Sequence, residues 1–175
     1  IVSWRQRLSK EIDLNETIAG QLLSDFGIPM NPSKLVHDEQ TLLLAAKIFG
    51  YPLALKTAAP NIKHKTERDG VVLNLTSEEE LREAYVALSE RLGKAAIVSP
   101  MVSSYGVEMI LGMMNDSQFG PFVIVGFGGI YAEALNETRV LYPPFDGDTV
   151  ARALDQLSMR TLLNDFRGKP ALDIQ

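Results

Sequence analysis

The stretch GYPLALKTAAPNIKHKTERDGVV, residues 50–72, joins a short apolar strand carrying Lys56 to a cationic loop that closes at Gly70. Alternation along residues 53–57 places Ala54 and Lys56 on one face and the leucines on the other. A lysine fixed on a strand is suited to neutralising phosphate oxygens. The stretch therefore predicts a phosphate-handling site, with a surface lysine that extends its charged end into water as the alternative.

The loop after this strand supplies further groups suited to phosphate chemistry. Lys63 and Lys65 are cationic, and Gly70 permits close approach of the backbone. His64 is a candidate nucleophile toward phosphorus, since a histidine can form a phosphoramidate that passes its phosphoryl group on. Glu67 is a candidate proton acceptor or metal contact. Taken alone, the loop is better explained as a solvated charged surface.

Outside this stretch, helical and strand patterns follow one another, a run of strands predicted to be antiparallel comes next, and helices follow it. Helices are predicted at residues 15–26, 38–49, 77–92 and from about 148, the third of them behind a capping box of Ser77 and Glu80. A strand is predicted at residues 30–36, and its prolines predict that it lies at the edge of a sheet. Further strands are predicted at 53–57, 71–75, 95–102, 106–114, 122–129, 131–135 and 138–142. Strands in close succession, separated from the helices, predict α+β layers rather than a doubly wound parallel sheet.

The pattern also predicts where the chain divides. Residues 1–14 are charged and are interpreted as a linker, residues 15–98 as a first subdomain and residues 99–175 as a second. A ligand held between two such layers would touch the strand that connects them.

Two further features of the second half are candidates for a site. The glycines of GFGGIYAE, residues 126–133, lack the spacing of a dinucleotide-binding fingerprint. They fit either a strand end that passes close to a ligand or a β-bulge. Glu108 lies among apolar residues of a predicted strand and is expected to need a partner.

Composition limits the classes of partner. With 22 acidic and 17 basic residues, the formal net charge is -5, which disfavours non-specific binding to nucleic acid or to an anionic membrane. No apolar run approaches the ~20 residues that span a bilayer. The 175 residues contain no cysteine, so thiolate metal sites and disulfides are excluded and a cytoplasmic location is expected.

Four stretches occur together in a specific order: LLSDFGIP (22–29), GYPLALKTAAPNIKHKTERDGVVLNL (50–75), SPMVSSYGVEMILGMMNDSQFGPFVIVGFGGIYAEAL (99–135) and LLNDFRGKPALD (162–173). Together they resemble the ATP-grasp domain of the NDP-forming acyl-CoA synthetases, the ADP-forming acetyl-CoA synthetase type, which is also fused in some protein acetyltransferases. The resemblance implies an ATP-grasp fold, with two α+β subdomains that hold ATP or ADP with Mg²⁺.

The resemblance also implies roles for individual residues. Lys56 corresponds to the lysine that contacts the nucleotide phosphates, and Lys65 lies in the same loop region. His64 matches the family's HK[ST][DE] loop and is expected to receive or guide a phosphoryl group, so Lys56 and His64 are the predicted catalytic residues. The predicted adenine-binding hinge and the remaining nucleotide contacts are Val98, Ser99, Met101, Glu108, Gly128, Gly129 and Arg139.

The sequence departs from the family pattern at several positions. Ser99 stands where the family often has Gln or Glu. An arginine usual near position 141 is replaced by Leu141, and Arg139, two residues earlier on the same strand face, is predicted to substitute for it. The family continues through a helix and an acidic strand that supplies magnesium ligands. The C-terminal part is therefore expected to be truncated, and no metal ligand is assigned.

The resemblance implies the ATP-grasp portion of an acid–thiol ligase, an ADP-forming acyl-CoA synthetase that couples acyl-CoA thioester and acyl phosphate chemistry to ATP or ADP through phosphohistidine. Its expected partners are CoA-binding and ligase domains of the same protein or of a partner subunit. The alternative is a regulatory, ligand-sensing domain of a protein lysine acetyltransferase without ligase activity. A third possibility is a unit that serves folding alone.

Overall fold

The computed structural model describes residues 2–9, 16–60, 62, 65, 68–102, 106–129, 137–164 and 171–172. The chain forms two compact units, Ile1–Val102 and Ser103–Gln175. The predicted division after residue 98 falls inside a strand of the first unit that is paired on both sides, so the structure places the boundary later. Across the described ranges, no helix combines the length and apolar character needed to cross a membrane.

The described residues of the first unit form four helices and four strands. The helices are α1 (Val2–Leu8), α2 (Glu16–Asp25), α3 (Glu39–Phe49) and α4 (Glu78–Leu92), and the strands are β1 (Lys34–Val36), β2 (Leu53–Thr57), β3 (Val71–Leu75) and β4 (Ala96–Pro100). The strands form one antiparallel sheet in the order β1-β4-β2-β3. β1 lies at the edge of this sheet, as predicted, but it begins at Lys34, after the prolines on which that prediction rested.

The sheet of the first unit has two different faces. One face packs on α3 and α4 and forms the core, whose buried members are Val36, Leu42, Ala45, Ala46, Leu53, Leu55, Leu75, Leu81, Tyr85, Leu88, Ala96 and Val98. On the other face, Lys56 pairs with Ile97, and Ile97 pairs with Leu35. The alternation predicted for residues 53–57 is therefore confirmed, and Lys56 points away from the hydrophobic core.

Side-chain caps fix the starts of α3 and α4. Asp38 accepts a hydrogen bond from the Thr41 N–H at 2.7 Å, and Ser77 accepts one from the Glu80 N–H at 3.2 Å. The Glu80 carboxylate accepts from the Thr76 N–H at 2.7 Å, one residue before the cap, which completes a variant of the predicted capping box. Both helices are thus anchored behind the sheet.

The linker interpretation of residues 1–14 is wrong for the part that forms α1. Trp4 is only 4% exposed, and its indole N–H donates to the Asp25 carboxylate at 2.7 Å. The Arg7 guanidinium lies 3.9 Å from the centre of the Trp4 ring. The hydrogen bond attaches α1 to the end of α2, and the Arg7 contact lies within α1. The charged composition of the segment did not reveal a helix held by one aromatic side chain.

The second unit consists, in its described part, of β5 (Met109–Asp116), β6 (Gly120–Phe127), β7 (Thr138–Leu141), α5 (Gly147–Asp155) and a 3-10 turn, Arg160–Leu163. The strands pair antiparallel in the order β5-β6-β7, as predicted. α5 covers one face of the sheet over Val125, Phe127 and Leu141. The predicted α+β class is confirmed, and the predicted strand at 131–135 lies outside the described residues.

Candidate functional site

Two lysines of the opening stretch meet at one carboxylate. The Lys56 ammonium lies 3.5 Å from Glu16 Oε1, and the Lys65 ammonium lies 2.5 Å from Glu16 Oε2. Lys56 comes from β2, Lys65 from the loop after it, and Glu16 from the first turn of α2. The side chains are partly exposed, 34%, 24% and 44% respectively. The sheet, the loop and the helix thus converge on one charged cluster.

The Glu16 carboxylate is held in its ionised form. Burial raises the pKa of Glu16, but the hydrogen bond from Lys65 and the positive charges of Lys56 and Lys65 outweigh burial, so the pKa lies below its usual value. Two ammonium groups that bind one carboxylate can also bind phosphate oxygens at the same position. The residues present therefore fit the phosphates of a nucleotide.

A cleft of about 320 Å³ adjoins this cluster. Its lining is mostly small or apolar: Leu35, Ala58, Ala59, Pro60, Ile62, Ala95 and Ile97, together with Glu16, His37 and Lys65. Neither His37 nor Glu16 was among the site residues predicted from the sequence. His37 is exposed but borders the cleft. Its position right after the edge strand β1 becomes informative only once the pairing of β1 with β4 is known.

The base of the loop that carries Lys65 is tightly constrained. The Gly70 N–H donates to the Lys65 carbonyl at 2.7 Å, and the Gly70 carbonyl accepts from the Thr57 N–H at 2.8 Å. The Arg91 guanidinium donates to the Asp69 carbonyl at 2.6 Å. The loop is thereby anchored to both β2 and α4. The predicted His64, with Lys63 and Glu67, lies outside the described residues.

The predicted hinge lies at the end of β4. Val98 is buried in the core and pairs with residues of both β1 and β2, so its backbone belongs to the sheet. Ser99, 5% exposed, pairs with Ala54 and shares the face that carries Lys56. The Met101 N–H donates to the Pro52 carbonyl at 3.0 Å. The structure therefore places Ser99 beside the lysine face and binds the Met101 N–H within the unit.

A second group forms where β5 begins and β6 ends. The Gly128 N–H donates to the Glu108 carbonyl at 2.7 Å. Gly129 has φ +56°, and a Cβ there would overlap the Glu108 carboxylate. The expectation that Glu108 needs a partner because of apolar surroundings is wrong, since its side chain is exposed at the start of the strand. The three predicted residues Glu108, Gly128 and Gly129 are in contact.

Arg139 occupies a different position. Its guanidinium donates to the Glu137 carboxylate at 2.7 Å and to the Gln156 carbonyl just beyond α5. Glu137 also accepts from the Ser158 N–H at 2.9 Å. The bonds from Ser158, followed by the charge and hydrogen bond of Arg139, lower the pKa of Glu137. These contacts join β7 to the end of α5 and involve neither Glu108 nor the two glycines.

Metal ligands are sparse in the part of the chain that the structure describes. No group of three or more His, Asp or Glu side chains lies close enough there to hold a metal ion. A magnesium ion that is coordinated by nucleotide phosphates needs only one or two protein carboxylates as further ligands. No particular residue is assigned to Mg²⁺ on this basis.

Comparison with known proteins places the chain in a family. A family model described as the ATP-grasp domain matches residues 7–175. The trans-feruloyl-CoA synthase FCS1 from an unknown prokaryotic organism is 34% identical over 163 residues, which are 89% of this chain and 23% of that protein. The beta subunit of ADP-forming acetate–CoA ligase II from Pyrococcus furiosus is 30% identical over 165 residues, 90% of this chain and 70% of that subunit.

Solved structures agree with this placement. The dinucleotide forming acetyl-coenzyme A synthetase 1 of Candidatus Korarchaeum cryptofilum, in complex with coenzyme A, Ca-AMPCP and HgCl⁺, superimposes with a TM-score of 0.87 at 29% identity, over 99% of this chain and 79% of that chain. A second structure of that protein holds coenzyme A and Mg-AMPPCP, with its phosphohistidine segment pointing towards the nucleotide binding site. Its TM-score is 0.82 at 29% identity, over 98% of this chain and 76% of that chain.

The extent of these matches differs between relatives. The chain spans about a quarter of the length of the feruloyl-CoA synthase but 70% of the ligase beta subunit. The family model covers nearly the whole chain, and the first unit carries the lysine cluster on the face of its sheet opposite the core. The chain belongs to the ATP-grasp family of nucleotide-binding domains, together with the beta subunits of ADP-forming acetate–CoA ligases.

Proposed function

We propose that this chain is the nucleotide-binding portion of an ADP-forming acyl-CoA synthetase, an acid–thiol ligase. The observation that carries the proposal is the convergence of Lys56 and Lys65 on the Glu16 carboxylate beside an apolar cleft. Two ammonium groups neutralise phosphate oxygens, and the apolar walls suit a base. ATP or ADP is the proposed ligand of this site.

The chain's own residues would act by binding and orientation. Lys56 and Lys65 would hold the phosphates and stabilise the charge that develops on a transferring phosphoryl group. The adenine contacts predicted at the end of β4 are a separate proposal, since Ser99 shares the face of Lys56 but does not line the cleft. Mg²⁺, when bound with the nucleotide, supplies further neutralisation, and its presence in the Korarchaeum complex with Mg-AMPPCP supports this part.

In the second unit, Glu108 with Gly128 and Gly129 is proposed as a further contact for the nucleotide. The Glu108 carboxylate lies against position 129 where a side chain would be, so the absence of a Cβ at this glycine lets Glu108 approach the backbone closely. Arg139 was also predicted as a nucleotide contact. Its bonds to Glu137 and Gln156 favour a positioning role for it instead.

The whole protein is proposed to interconvert acyl-CoA, ADP and phosphate with free acid, CoA and ATP. The thioester is cleaved by phosphate to an acyl phosphate, whose phosphoryl group passes through phosphohistidine to the terminal phosphate oxygen of ADP. His64 is the proposed acceptor or guide for this group near the nucleotide. The phosphohistidine segment of the Korarchaeum protein, which points towards its nucleotide site, supports a mobile donor.

The proposed partners are CoA-binding and ligase domains, either fused or in a separate subunit. Both arrangements are represented among the relatives, since this chain matches 23% of one protein and 70% of a beta subunit of another. The acyl group is left open, because the relatives are named for ferulate and acetate and the acyl site is expected in the partner domains. A cytoplasmic location is proposed with this function.

The direct test uses the full-length protein with ADP, phosphate, Mg²⁺ and acetyl-CoA or feruloyl-CoA. We expect formation of ATP and free CoA in equal amounts, and loss of both products in Lys56→Gln. ADP binding without turnover of any acyl-CoA would contradict the ligase proposal and favour the regulatory domain. Absence of both binding and turnover would contradict each of them.

A further inference from the structure

Glu16 has no role in the proposed reaction, yet it occupies the centre of the lysine cluster. It accepts from Lys65 at 2.5 Å and lies 3.5 Å from the Lys56 ammonium. Phosphate oxygens bound to these lysines would compete with the carboxylate for the ammonium donors and for their positive charge. A carboxylate and a phosphate at the same place also repel each other.

The attachment of α2 to the rest of the first unit is weak. None of its residues is fully buried, and Phe26 at its end is exposed. The hydroxyl of Thr17, next to Glu16, is buried without a hydrogen-bond partner among the described residues. The carboxylate of Glu16 is therefore a main link between the first turn of this helix and the loop that carries Lys65. Partly exposed ion pairs of this kind contribute little free energy, so another anion can replace the carboxylate.

We propose that Glu16 is an internal counter-ion that competes with nucleotide phosphates for Lys56 and Lys65, so that nucleotide binding releases the first turn of α2. The inference rests on the proposed nucleotide site and adds to it a residue that sets affinity and couples the site to a helix. In the absence of nucleotide, Glu16 keeps the two ammonium groups together. When phosphates arrive, the carboxylate leaves both lysines.

Isothermal titration of the full-length protein tests the competition. The variants are Glu16→Gln, which removes the charge but keeps the shape, and Glu83→Gln, which removes one charge from an exposed position of α4. The probes are Mg-ADP and tripolyphosphate, which carries phosphates without a base. We expect Glu16→Gln to bind both probes about fivefold more tightly, as a nearby like charge in a solvated setting implies. Glu83→Gln should match the wild type.

The outcomes separate this inference from the proposed function. If ADP binds but Glu16→Gln binds it equally well or more weakly, the competition is wrong and the nucleotide site stands. If ADP does not bind but tripolyphosphate binds more tightly to Glu16→Gln, the counter-ion role stands and the proposed function fails. The counter-ion role and the proposed function both fail if neither probe binds. They also both fail if ADP does not bind and Glu16→Gln binds tripolyphosphate no more tightly than the wild type does.

Hydrogen exchange of the wild-type protein gives a second measurement that does not depend on how the variant folds. We expect Mg-ADP to accelerate exchange of the backbone amides at residues 20–22, because their intrahelical acceptors are carbonyls of the first turn of α2. Exchange that slows or stays constant at these residues when saturating ADP is bound would overturn the release of α2.

Discussion

The backbone N–H of Gly70 donates to the carbonyl of Lys65 across 2.7 Å and closes the loop that delivers this lysine to the charged cluster. A Cβ at position 70 would lie 2.8 Å from Thr57 Cγ2 and 2.9 Å from the Lys65 carbonyl oxygen. We therefore expect Gly70→Ala to displace the loop and weaken ADP binding about tenfold, the equivalent of one charge-assisted hydrogen bond. Titration calorimetry measures this change.

The matched control for this variant is Gly147→Ala, because a Cβ at position 147 meets no atom within 4 Å. It should leave both ADP affinity and the unfolding temperature as they are in the wild type. Unchanged ADP affinity in Gly70→Ala would show that the position of Lys65 does not matter for the nucleotide.

Arg139 is expected to support the second unit rather than the ligand. Arg139→Gln removes the bonds that join β7 to the end of α5, so the free energy of unfolding should fall by about 1–2 kcal/mol. ADP affinity should stay within about twofold of the wild type. Chemical denaturation and titration calorimetry measure the two quantities. A tenfold loss of affinity with unchanged stability would instead support the role that the family resemblance implies.

The elements with strong local patterns were predictable from the sequence. The alternation in β2 predicted the face of Lys56, and the capping box of Ser77 and Glu80 predicted the start of α4. The antiparallel run in the second unit followed from short strands in close succession. In each of these cases, neighbours in the chain are also neighbours in space, so a pattern of residues is sufficient.

The contacts that complete the site were not predictable in this way. Glu16 precedes Lys56 by 40 residues, and only the packing of α2 brings them together. One partner of Arg139, the Gln156 carbonyl, lies 17 residues later just beyond α5, whereas the family resemblance implied a nucleotide contact. The contact of Trp4 with Asp25 is also set by tertiary packing, so the charged sequence around Trp4 did not predict it. Side-chain partners that are set by tertiary packing leave no periodic signal in a single sequence.

His64 is expected to act in phosphoryl transfer and not in binding. His64→Asn should retain ADP affinity within about threefold and reduce turnover by about a hundredfold or more, because an amide cannot accept the phosphoryl group. Steady-state kinetics with acetyl-CoA, phosphate and ADP measures the turnover. If His37→Asn abolished turnover and His64→Asn did not, the phosphoryl acceptor would be the histidine that borders the cleft.

The cap of α3 should make the stability of the first unit depend on pH in the acid range. The backbone N–H of Thr41, and then its hydroxyl, lower the pKa of Asp38 in the folded state. The contribution of this carboxylate is therefore complete above its unfolded pKa of about 4 and is lost as the pH falls through the lower folded pKa. Asp38→Ala should be less stable than the wild type at pH 7, with a difference that shrinks below pH ~4.

Thermal unfolding followed by circular dichroism between pH 2 and 7 checks this expectation. Asp38→Ser is the control, because serine keeps a cap acceptor without a titrating group. It should recover much of the stability at pH 7. A destabilisation by Asp38→Ala that is the same at every pH would mean that the ionised carboxylate does not stabilise the helix.

The central claim is that the face of the sheet that carries Lys56 binds the phosphates of a nucleotide. Titration of the full-length protein with Mg-ADP tests it most directly, with Lys56→Gln compared against Lys47→Gln, which removes an equal charge from an exposed position of α3. We predict that Lys56→Gln weakens binding by about tenfold or more, while Lys47→Gln remains within about twofold of the wild type. Equal affinities of the two variants for ADP would contradict the claim.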